Sequence, residues 1–412
     1  MTGRLTTAGR AERILRRLDE LFEIGRAAGT NRPGLGEGEQ RAFGCAQGWM
    51  QQAGLDISVD PAGNLLGRLP GSSPTSGEIW SGSHLDTPPD GGRFDGALGV
   101  VAAIDAIEAI AESGGAERTL TAVAWRLEEG CRFGRGVFGS RAAAGMLEPD
   151  EADLIDADGV SLGEAFATLG LGSLPSFGWL DPPPAGYVET HIEQGPVLAE
   201  TGAALGVVSS IAGMAGIELC FRGRRGHAGT TPMAMRADAL GAAAGFITAA
   251  QAAARAIDGA VCTIGRLTVS PGATNTIPER AELFADLRAP DAERLDALVT
   301  AATAAAERAA ANAGCRVEIA PRWRYQPAPM SDAPSQALRR AIAASGLDPI
   351  TLPSGAGHDA TIMAMAGVPT AMLFVRSDAD GVSHAPQEHT GADAVERCVQ
   401  VLEPALRELA TR

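Results

Sequence analysis

The apolar residues of this chain repeat with two different periods, which together predict an α/β protein. Residues 11–24 have apolar side chains three and four positions apart, as an amphipathic helix requires. Residues 78–83 and 120–127 are short apolar runs typical of strands, and the alanine- and isoleucine-rich segment 97–112 between them is predicted to be a helix. Because a strand, helix, strand order forms a right-handed parallel crossover, we expect a parallel sheet in this part of the chain.

Similar patterns predict further elements along both ends of the chain. The predicted helices lie at 37–53, 335–344, 361–366 and 392–410. The predicted strands lie at 55–59, 64–69, 188–192 and 369–375. The sequence shows no repeat of fixed period, which argues against a repeat protein.

Between about residues 213 and 330 the pattern changes. The predicted order of strand, helix, two strands, helix and strand describes a small ferredoxin-like α+β domain inserted into the larger one. These elements are predicted at 217–222, 233–254, 261–269, 280–287, 291–311 and 315–320. We therefore divide the chain into a discontinuous larger domain, residues 1–212 and 331–412, and an inserted domain, residues 213–330.

Composition narrows the possible functions. A chain of 412 residues exceeds what one hydrophobic core usually serves, and its formal net charge of -16 would repel nucleic acid and anionic membranes. The six cysteines have no paired spacing, which argues against a disulfide framework and favours a reducing cytoplasm. The sequence contains no run with the length and apolar character of a membrane span, and its first residues lack the apolar core of a signal peptide.

The glycine-rich segment 81–99 combines three side chains suited to metal binding. His84 offers a neutral imidazole, Asp86 is placed to orient it, and Asp95 has two oxygens that could bridge two cations. We interpret the segment as the first half of a two-metal site. The alternative is a surface loop that contains one histidine and several aspartates by chance.

Later segments carry further candidate groups in loops or at predicted strand ends. Glu128 and Glu129 are adjacent carboxylates, of which one could bind a metal while the other faces a water, or both could form a solvated acidic turn. His191 lies in a predicted strand and His384 in a loop, and each could instead be an ordinary core or surface histidine. The histidines as a group favour a site, because none lies in a predicted helix: His84, His191, His227, His358, His384 and His389.

Eight motifs, in chain order, resemble those of one known family. They are GSHLDT, GGRFDGALGV, EEGCRF, THIEQGPVL, GHAGTTPMAMRADA, NTIP with DLR, SGAGHDA and SHAPQE. From about residue 35 to residue 390 they resemble the hydantoinase/carbamoylase branch of the dinuclear metallo-aminoacylases and peptidases. The resemblance implies a metallopeptidase-like catalytic domain with a mixed, largely parallel sheet, and an inserted α+β ferredoxin-like domain that acts as a lid and joins two subunits in a homodimer.

The resemblance also implies roles for individual residues, with Glu128 as the general base and Asp86 supporting a ligand. Two divalent ions, zinc or alternatively manganese, cobalt or nickel, would be bridged by Asp95. The implied metal ligands are His84, Asp95, Glu129, His191 and His384. The implied substrate contacts are Gln194, His227, Asn275, Arg288, Gly357 and, more weakly, His358. Of these, His227, Asn275 and Arg288 would reach the site from the inserted domain of the dimer partner, and His227 would donate a hydrogen bond to the tetrahedral oxyanion.

The implied reaction is the hydrolysis of a small ureido acid. We expect an N-carbamoyl-L-amino acid to be converted to the L-amino acid, carbon dioxide and ammonia, with no nucleic acid or membrane as partner. Allantoate and 3-ureidopropionate share the ureido group and the carboxylate, and they remain alternative substrates. A binding protein that kept the fold without catalysis is a more remote alternative, since every implied ligand and the general base are present.

Overall fold

The computed structural model describes residues 5–73 and 76–411. The chain divides into two compact units. The larger unit consists of Met1–Ser209, Met330–Leu352 and His358–Arg412, and the smaller unit of Ser210–Pro329 and Pro353–Gly357. The sequence predicts an inserted domain of residues 213–330; in the structure, the smaller unit also includes the short segment Pro353–Gly357, which was expected in the larger domain.

The strands and helices alternate through most of the chain. The strands are β1 (Asp56–Val59), β2 (Leu65–Leu69), β3 (Ile79–His84), β4 (Leu120–Trp125), β5 (Gly186–Ile192), β6 (Leu205–Ile211), β7 (Gly213–Arg222), β8 (Gly226–His227), β9 (Val261–Ser270), β10 (Thr276–Ile277), β11 (Arg280–Ala289), β12 (Arg316–Tyr325), β13 (Ala328–Pro329), β14 (Ile350–Ser354) and β15 (Thr370–Val375). The helices are α1 (Thr7–Phe22), α2 (Glu37–Gln52), α3 (Ala97–Glu112), α4 (Phe138–Ala143), α5 (Leu162–Thr168), α6 (Val197–Thr201), α7 (Ala239–Arg255), α8 (Ala292–Asn312), α9 (Asp332–Ala344), α10 (Asp359–Met365) and α11 (Ala392–Leu409). Within the described residues, no helix is both long enough and apolar enough to cross a membrane.

The larger unit is built on a mixed sheet with the strand order β1-β2-β4-β3-β5-β15-β6. Its four central strands, β4, β3, β5 and β15, are parallel, and every residue in them is buried. Strands covered on both faces favour apolar sequence, as in β4 (LTAVAW) and β15 (TAMLFV). Strands β3 and β5 instead have buried polar residues towards their carboxyl ends, where His84 and His191 lie. The prediction of an α/β fold with a mixed, largely parallel sheet is confirmed.

Helix α3 covers one face of the sheet in the larger unit. Nearly all its residues are buried, because it packs on β3, β4 and β5 and also contacts α1 and α11. The carboxyl ends of β3 and β5 therefore open beside the start of this helix. In parallel α/β sheets, ligands bind at this edge.

The smaller unit is a four-stranded antiparallel sheet, ordered β12-β7-β11-β9. Helices α7 and α8 contact each other and pack against the sheet over a common apolar core. The alternating buried and half-buried residues of β11 show one face directed to that core and one face away from it. A separate two-stranded ladder pairs β8 with β10.

The two predicted boundaries furthest from the structure in the smaller unit are the start of its first helix and the end of its last long strand. The helix expected from residue 233 starts at Ala239, because the Asp238 carboxylate caps its first turn by accepting from Leu240 N (3.0 Å) and Gly241 N (3.1 Å). Strand β12 continues past its expected end at Ala320 to Tyr325. It does so because Pro321 sits at a register shift on an edge strand, where a missing N–H is tolerated.

Candidate metal centre

The larger unit brings together two groups of possible metal ligands that share one residue. The first group is His84, Asp95 and His191, and the second is Asp95, Glu129 and His384. Within each group the ligand atoms lie within 4.8 Å of one another. These are the five residues for which the sequence predicted a metal-binding role.

Asp95 lies between the two groups and directs one oxygen to each. Its Oδ1 is 3.1 Å from His191 Nε2 and 3.5 Å from His84 Nε2. Its Oδ2 is 3.2 Å from His384 Nε2, which in turn is 3.4 Å from Glu129 Oε2. Donor atoms of one tetrahedral zinc ion, each about 2.0 to 2.2 Å from the metal, are separated by roughly 3.3 Å. The observed separations therefore suit two ions joined by the Asp95 carboxylate.

The sheet and a glycine place the histidines of the first group. His84 ends β3 and His191 is the next-to-last residue of β5, so their rings lie 5.9 Å apart on neighbouring parallel strands. Gly96, which precedes α3, has φ +60°, and a Cβ there would lie 2.4 Å from His84 Cε1. Only glycine therefore lets the chain turn from Asp95 into the helix beside the imidazole.

Asp86 has a broader contact set than predicted. His84 Nδ1 lies 3.2 Å from the Asp86 backbone oxygen and 3.4 Å from its carboxylate Oδ1, in keeping with an orienting role. The same carboxylate accepts hydrogen bonds from the backbone N–H groups of Glu128 (3.0 Å) and Glu129 (3.1 Å). Asp86 thus fixes the turn that carries both glutamates, a contact that spacing alone could not reveal.

The two adjacent glutamates occupy different positions in the centre. Glu129 belongs to the second ligand group, and its Oε1 is buried without a hydrogen-bond partner among the described residues. Glu128 belongs to neither group, although its Oε2 lies 3.8 Å from His84 Nε2. Glu129 is therefore placed to bind a cation, whereas Glu128 lies next to the ligands without being one of them.

The electrostatics of the cluster call for added positive charge. Burial, reinforced by the charge of Asp95, raises the pKa of Glu129 to about 8. Burial also raises the pKa of Glu128 well above its ordinary value. Burial opposes ionisation of Asp95 too, but the charge of His191 and hydrogen bonds to the histidines hold its pKa well below the usual range. Divalent cations would stabilise such a set of buried carboxylates, so the residues present fit two metal ions.

Gln194 and His358 lie against this cluster without joining either ligand group. Gln194, with φ 57°, donates from Nε2 to Asp95 Oδ2 (2.7 Å), while its Oε1 is buried without a hydrogen-bond partner in the described part of the chain. The buried His358 ring lies 4.5 Å from the His191 ring, and burial together with the charge of His191 lowers the pKa of His358 well below its ordinary value. His358 is therefore held as a neutral imidazole.

The remaining predicted substrate contacts, His227, Asn275, Arg288 and Gly357, lie in the smaller unit. His227 Nδ1 accepts a hydrogen bond from Gly229 N (3.0 Å), so in the neutral ring the proton is on Nε2, which is free to act as a donor. The Asn275 backbone carbonyl accepts from Ala228 N (2.9 Å), which ties the Asn275 loop to the His227 loop.

Arg288 is held from two sides within the smaller unit. Its Nε and Nη2 donate to the two carboxylate oxygens of Asp286, at 2.8 and 2.9 Å, and its Nη1 donates to the Gly355 carbonyl (2.7 Å). Sequence reasoning missed Asp286, although residues two apart in a strand share a face and the DLR motif contains both. It also missed Glu388 of the SHAPQE motif, which accepts hydrogen bonds from Phe94 N (2.7 Å) and Asp95 N (3.0 Å).

Comparison with known proteins identifies the family and agrees with the fold. Residues 80–408 match Peptidase family M20/M25/M40. N-carbamoyl-L-amino acid amidohydrolase from Geobacillus stearothermophilus is 40% identical over 382 residues, which cover 92% of this chain and 93% of that protein. Allantoate amidohydrolase from Bacillus subtilis (strain 168) is 35% identical over 364 residues, 88% of each chain. A solved amidase of the hydantoinase/carbamoylase family from Burkholderia multivorans superposes with a TM-score of 0.92 at 31% identity, covering 98% of both chains.

The chain therefore belongs to Peptidase family M20/M25/M40, and it is an amide-hydrolysing enzyme. Its structural neighbours include amidases of the hydantoinase/carbamoylase family, as the motifs predicted. The alternative of a binding protein without catalysis is set aside.

Proposed function

We propose that this enzyme hydrolyses the ureido group of N-carbamoyl-L-amino acids to give the L-amino acid, carbon dioxide and ammonia. The observation that most supports this substrate class is the 40% identity to an N-carbamoyl-L-amino acid amidohydrolase along nearly the whole of both chains. The shared carboxylate of Asp95 supports a dinuclear, metal-dependent mechanism.

In this proposal, two divalent ions are held by His84 and His191 on one side and by Glu129 and His384 on the other, with Asp95 between them. When bound, the ions would polarise the ureido carbonyl and acidify a water molecule. Zinc, manganese, cobalt and nickel are all compatible with a set of imidazole and carboxylate ligands.

Glu128 is the proposed general base. It stands beside the ligands without belonging to either group, and its carboxylate is nearly fully buried. It would take a proton from the attacking water and pass it to the leaving nitrogen. Burial raises the pKa of Glu128 above its ordinary value, and a carboxylate with a raised pKa accepts a proton from water more readily.

His227, Asn275 and Arg288 are the proposed substrate-binding residues, together with Gln194 and the backbone at Gly357. The Nε2–H of His227 would donate a hydrogen bond to the oxyanion, and Arg288 would bind the substrate carboxylate. By the family resemblance, His227, Asn275 and Arg288 would serve the centre of the partner subunit in a homodimer. This arrangement makes the smaller unit both the dimerisation domain and the lid.

A parallel mass-spectrometric assay tests the substrate. The purified, metal-loaded enzyme is offered N-carbamoyl-L-amino acids, allantoate and 3-ureidopropionate at equal concentration, and each product is quantified over time. We expect the N-carbamoyl-L-amino acids to be hydrolysed with the highest kcat/KM. Faster turnover of allantoate would favour the second candidate, which is supported by the 35% identity to allantoate amidohydrolase.

A further inference from the structure

Glu388 is a buried carboxylate with no part in the proposed reaction. Glu388 is 5% exposed, and it lies in the loop between β15 and α11, which also contains His384. One carboxylate oxygen, Oε1, accepts hydrogen bonds from the backbone N–H groups of Phe94 (2.7 Å) and Asp95 (3.0 Å). The other oxygen, Oε2, accepts from the Ser383 hydroxyl (2.7 Å). Each oxygen therefore accepts a hydrogen bond either from the candidate ligand Asp95 or from a residue next to a candidate ligand.

The carboxylate of Glu388 packs directly against the backbone of the loop that contains Asp95. A Cβ placed on Gly92 would lie 2.1 Å from the Glu388 carboxyl carbon, so this loop can approach the carboxylate only because residue 92 is glycine. The approach lets Glu388 reach the N–H of Asp95 itself. The orientation of the carboxylate shared by both ligand groups thus depends on a residue 293 positions later in the chain.

The loop that contains His384 depends on a tertiary contact such as that of Glu388 for its position, more than the strands that contain His84 and His191 do. Residues 382–391 contain no helix or strand, and the side chain of His384 is 49% exposed. His84 and His191 instead lie in buried strands, and their side chains are 1% exposed. His384 also has φ +55°, in the left-handed region that is unfavourable for a residue with a Cβ. Packing alone therefore does not fix its position.

Ser383 completes the link. Its hydroxyl lies 2.7 Å from Glu388 Oε2 and 3.0 Å from Asp95 Oδ2, and it can donate its one proton to either. Glu388, five residues further along the same loop, is held by two backbone N–H groups of the Asp95 loop, so its hydrogen bond from Ser383 fixes the residue next to His384 relative to that loop.

We propose that Glu388 is a positioning residue that sets the distance between Asp95 and His384 and thereby forms the second metal position. The inference rests on the proposed dinuclear centre and adds a residue to which the sequence analysis gave no role. Partners of this kind, which hold metal ligands without touching the metal, typically contribute 10- to 100-fold to metal affinity. The effect should be unequal, because the second ligand group depends on Glu388 through both Asp95 and His384, whereas the first depends on it through Asp95 alone.

Cobalt binding tests the proposal without reference to a substrate. Metal-free protein is titrated with Co²⁺ in competition with a chelator, and visible absorption reports the coordination of each bound ion. We expect the wild type to bind two ions per chain. Glu388→Ala should bind the first ion within a few-fold of the wild-type affinity and the second about 10- to 100-fold more weakly. Glu388→Gln, whose amide oxygen can still accept from the two N–H groups, should recover part of this loss.

Glu151→Gln is the matched control, since Glu151 is 2% exposed and also accepts a backbone N–H, from Glu148 (3.3 Å). It should lower the unfolding temperature and leave both cobalt affinities unchanged. If Glu388→Ala does not fold, Ser383→Ala decides, because it leaves the hydrogen bonds of Glu388 to the Asp95 loop in place and removes those of the residue next to His384. It should weaken the second ion more than the first.

Three results would overturn the proposal. Unchanged affinity for both ions in Glu388→Ala, with only a lower unfolding temperature, would make Glu388 a purely structural residue. Equal loss of both ions would place its effect on Asp95 alone. A wild type that binds no Co²⁺ would contradict the proposed metal centre itself, and this inference with it, which distinguishes the two failures.

Discussion

The different positions of Glu128 and Glu129 lead to opposite expectations for two matched substitutions. Glu128→Gln keeps the size of the side chain and leaves the backbone hydrogen bond from residue 128 to Asp86 in place. Because Glu128 belongs to neither ligand group, the variant should retain both metal ions. Loss of a general base typically lowers kcat by about 100- to 10,000-fold, which corresponds to roughly 2.7 to 5.4 kcal/mol of transition-state stabilisation.

Glu129→Gln changes a member of the second ligand group, one of whose carboxylate oxygens is buried without a hydrogen-bond partner among the residues that the structure describes. An amide binds a divalent ion more weakly than a carboxylate does, so this variant should lose the ion held with Asp95 and His384. Its activity should return in part at high metal concentration, whereas that of Glu128→Gln should not.

Metal content by inductively coupled plasma mass spectrometry and kcat from ammonia release separate the two variants. Unfolding temperature of the metal-free proteins is a useful control. Each substitution removes a buried carboxylate whose pKa is raised by burial, so neither should destabilise the metal-free protein at pH 7. Two bound ions in both variants, with only Glu129→Gln inactive, would reverse the assignment of base and ligand.

Three further predictions concern other parts of the chain. Arg288→Lys should lower kcat/KM by roughly 30- to 4,000-fold, about 2 to 5 kcal/mol, because an ammonium cannot keep the two-pronged contact with Asp286 and also bind a carboxylate. A mixture of His227→Ala and Glu128→Gln subunits, unfolded and reassembled together, should recover activity if His227 serves the partner's centre. Asp60, whose pKa burial raises to about 6, should make the protein less stable as the pH rises from about 4 to about 6, and Asp60→Asn should flatten that slope in thermal unfolding.

Each of these has its own contrary result. The penalty of Arg288→Lys should shrink for the amide of the same substrate, which has no carboxylate, and an equal penalty would exclude Arg288 as its binding residue. Confirmed heterodimers without recovered activity would place His227 in the centre of its own subunit. The sign for Asp60 follows from a folded-state pKa above the unfolded one: the folded protein keeps a proton that the unfolded chain has already released. An unchanged slope in Asp60→Asn would therefore assign the pH dependence to other groups.

The parts of the fold that the sequence predicted are those where local pattern and tertiary burial agree. Helix α3 was predicted with its observed bounds, because it is apolar on all sides and buried on nearly all of them. The short helices α4 and α5 were not predicted, since they lie in a segment rich in glycine and proline whose local pattern resembles a loop. Strand β6, which follows the five-residue helix α6, was not predicted either.

In the candidate site, some ligands could be predicted from the sequence, but the residues that position them could not. Metal ligands have side chains of recognisable type, so His84 at a strand end and Asp95 in the glycine-rich loop could be chosen from the residues themselves, whereas the ligand role of His191 came from the family resemblance. The residues that hold those ligands could not be chosen in this way, because their hydrogen bonds join distant segments through backbone groups. The contact of Glu388 with the Asp95 N–H spans 293 positions, and no periodicity encodes it.

The shared position of Asp95 has a consequence for the order in which the centre can form during synthesis. The first ligand group is complete once the chain has reached His191, before any residue of the smaller unit has been made. The second group must wait for His384, which follows both the smaller unit and strand β15. Strand β15 pairs with β5, so the central sheet also closes only after a long intervening segment has folded. A nascent chain could therefore bind one ion early, whereas it could bind the other only after β15 has paired with β5.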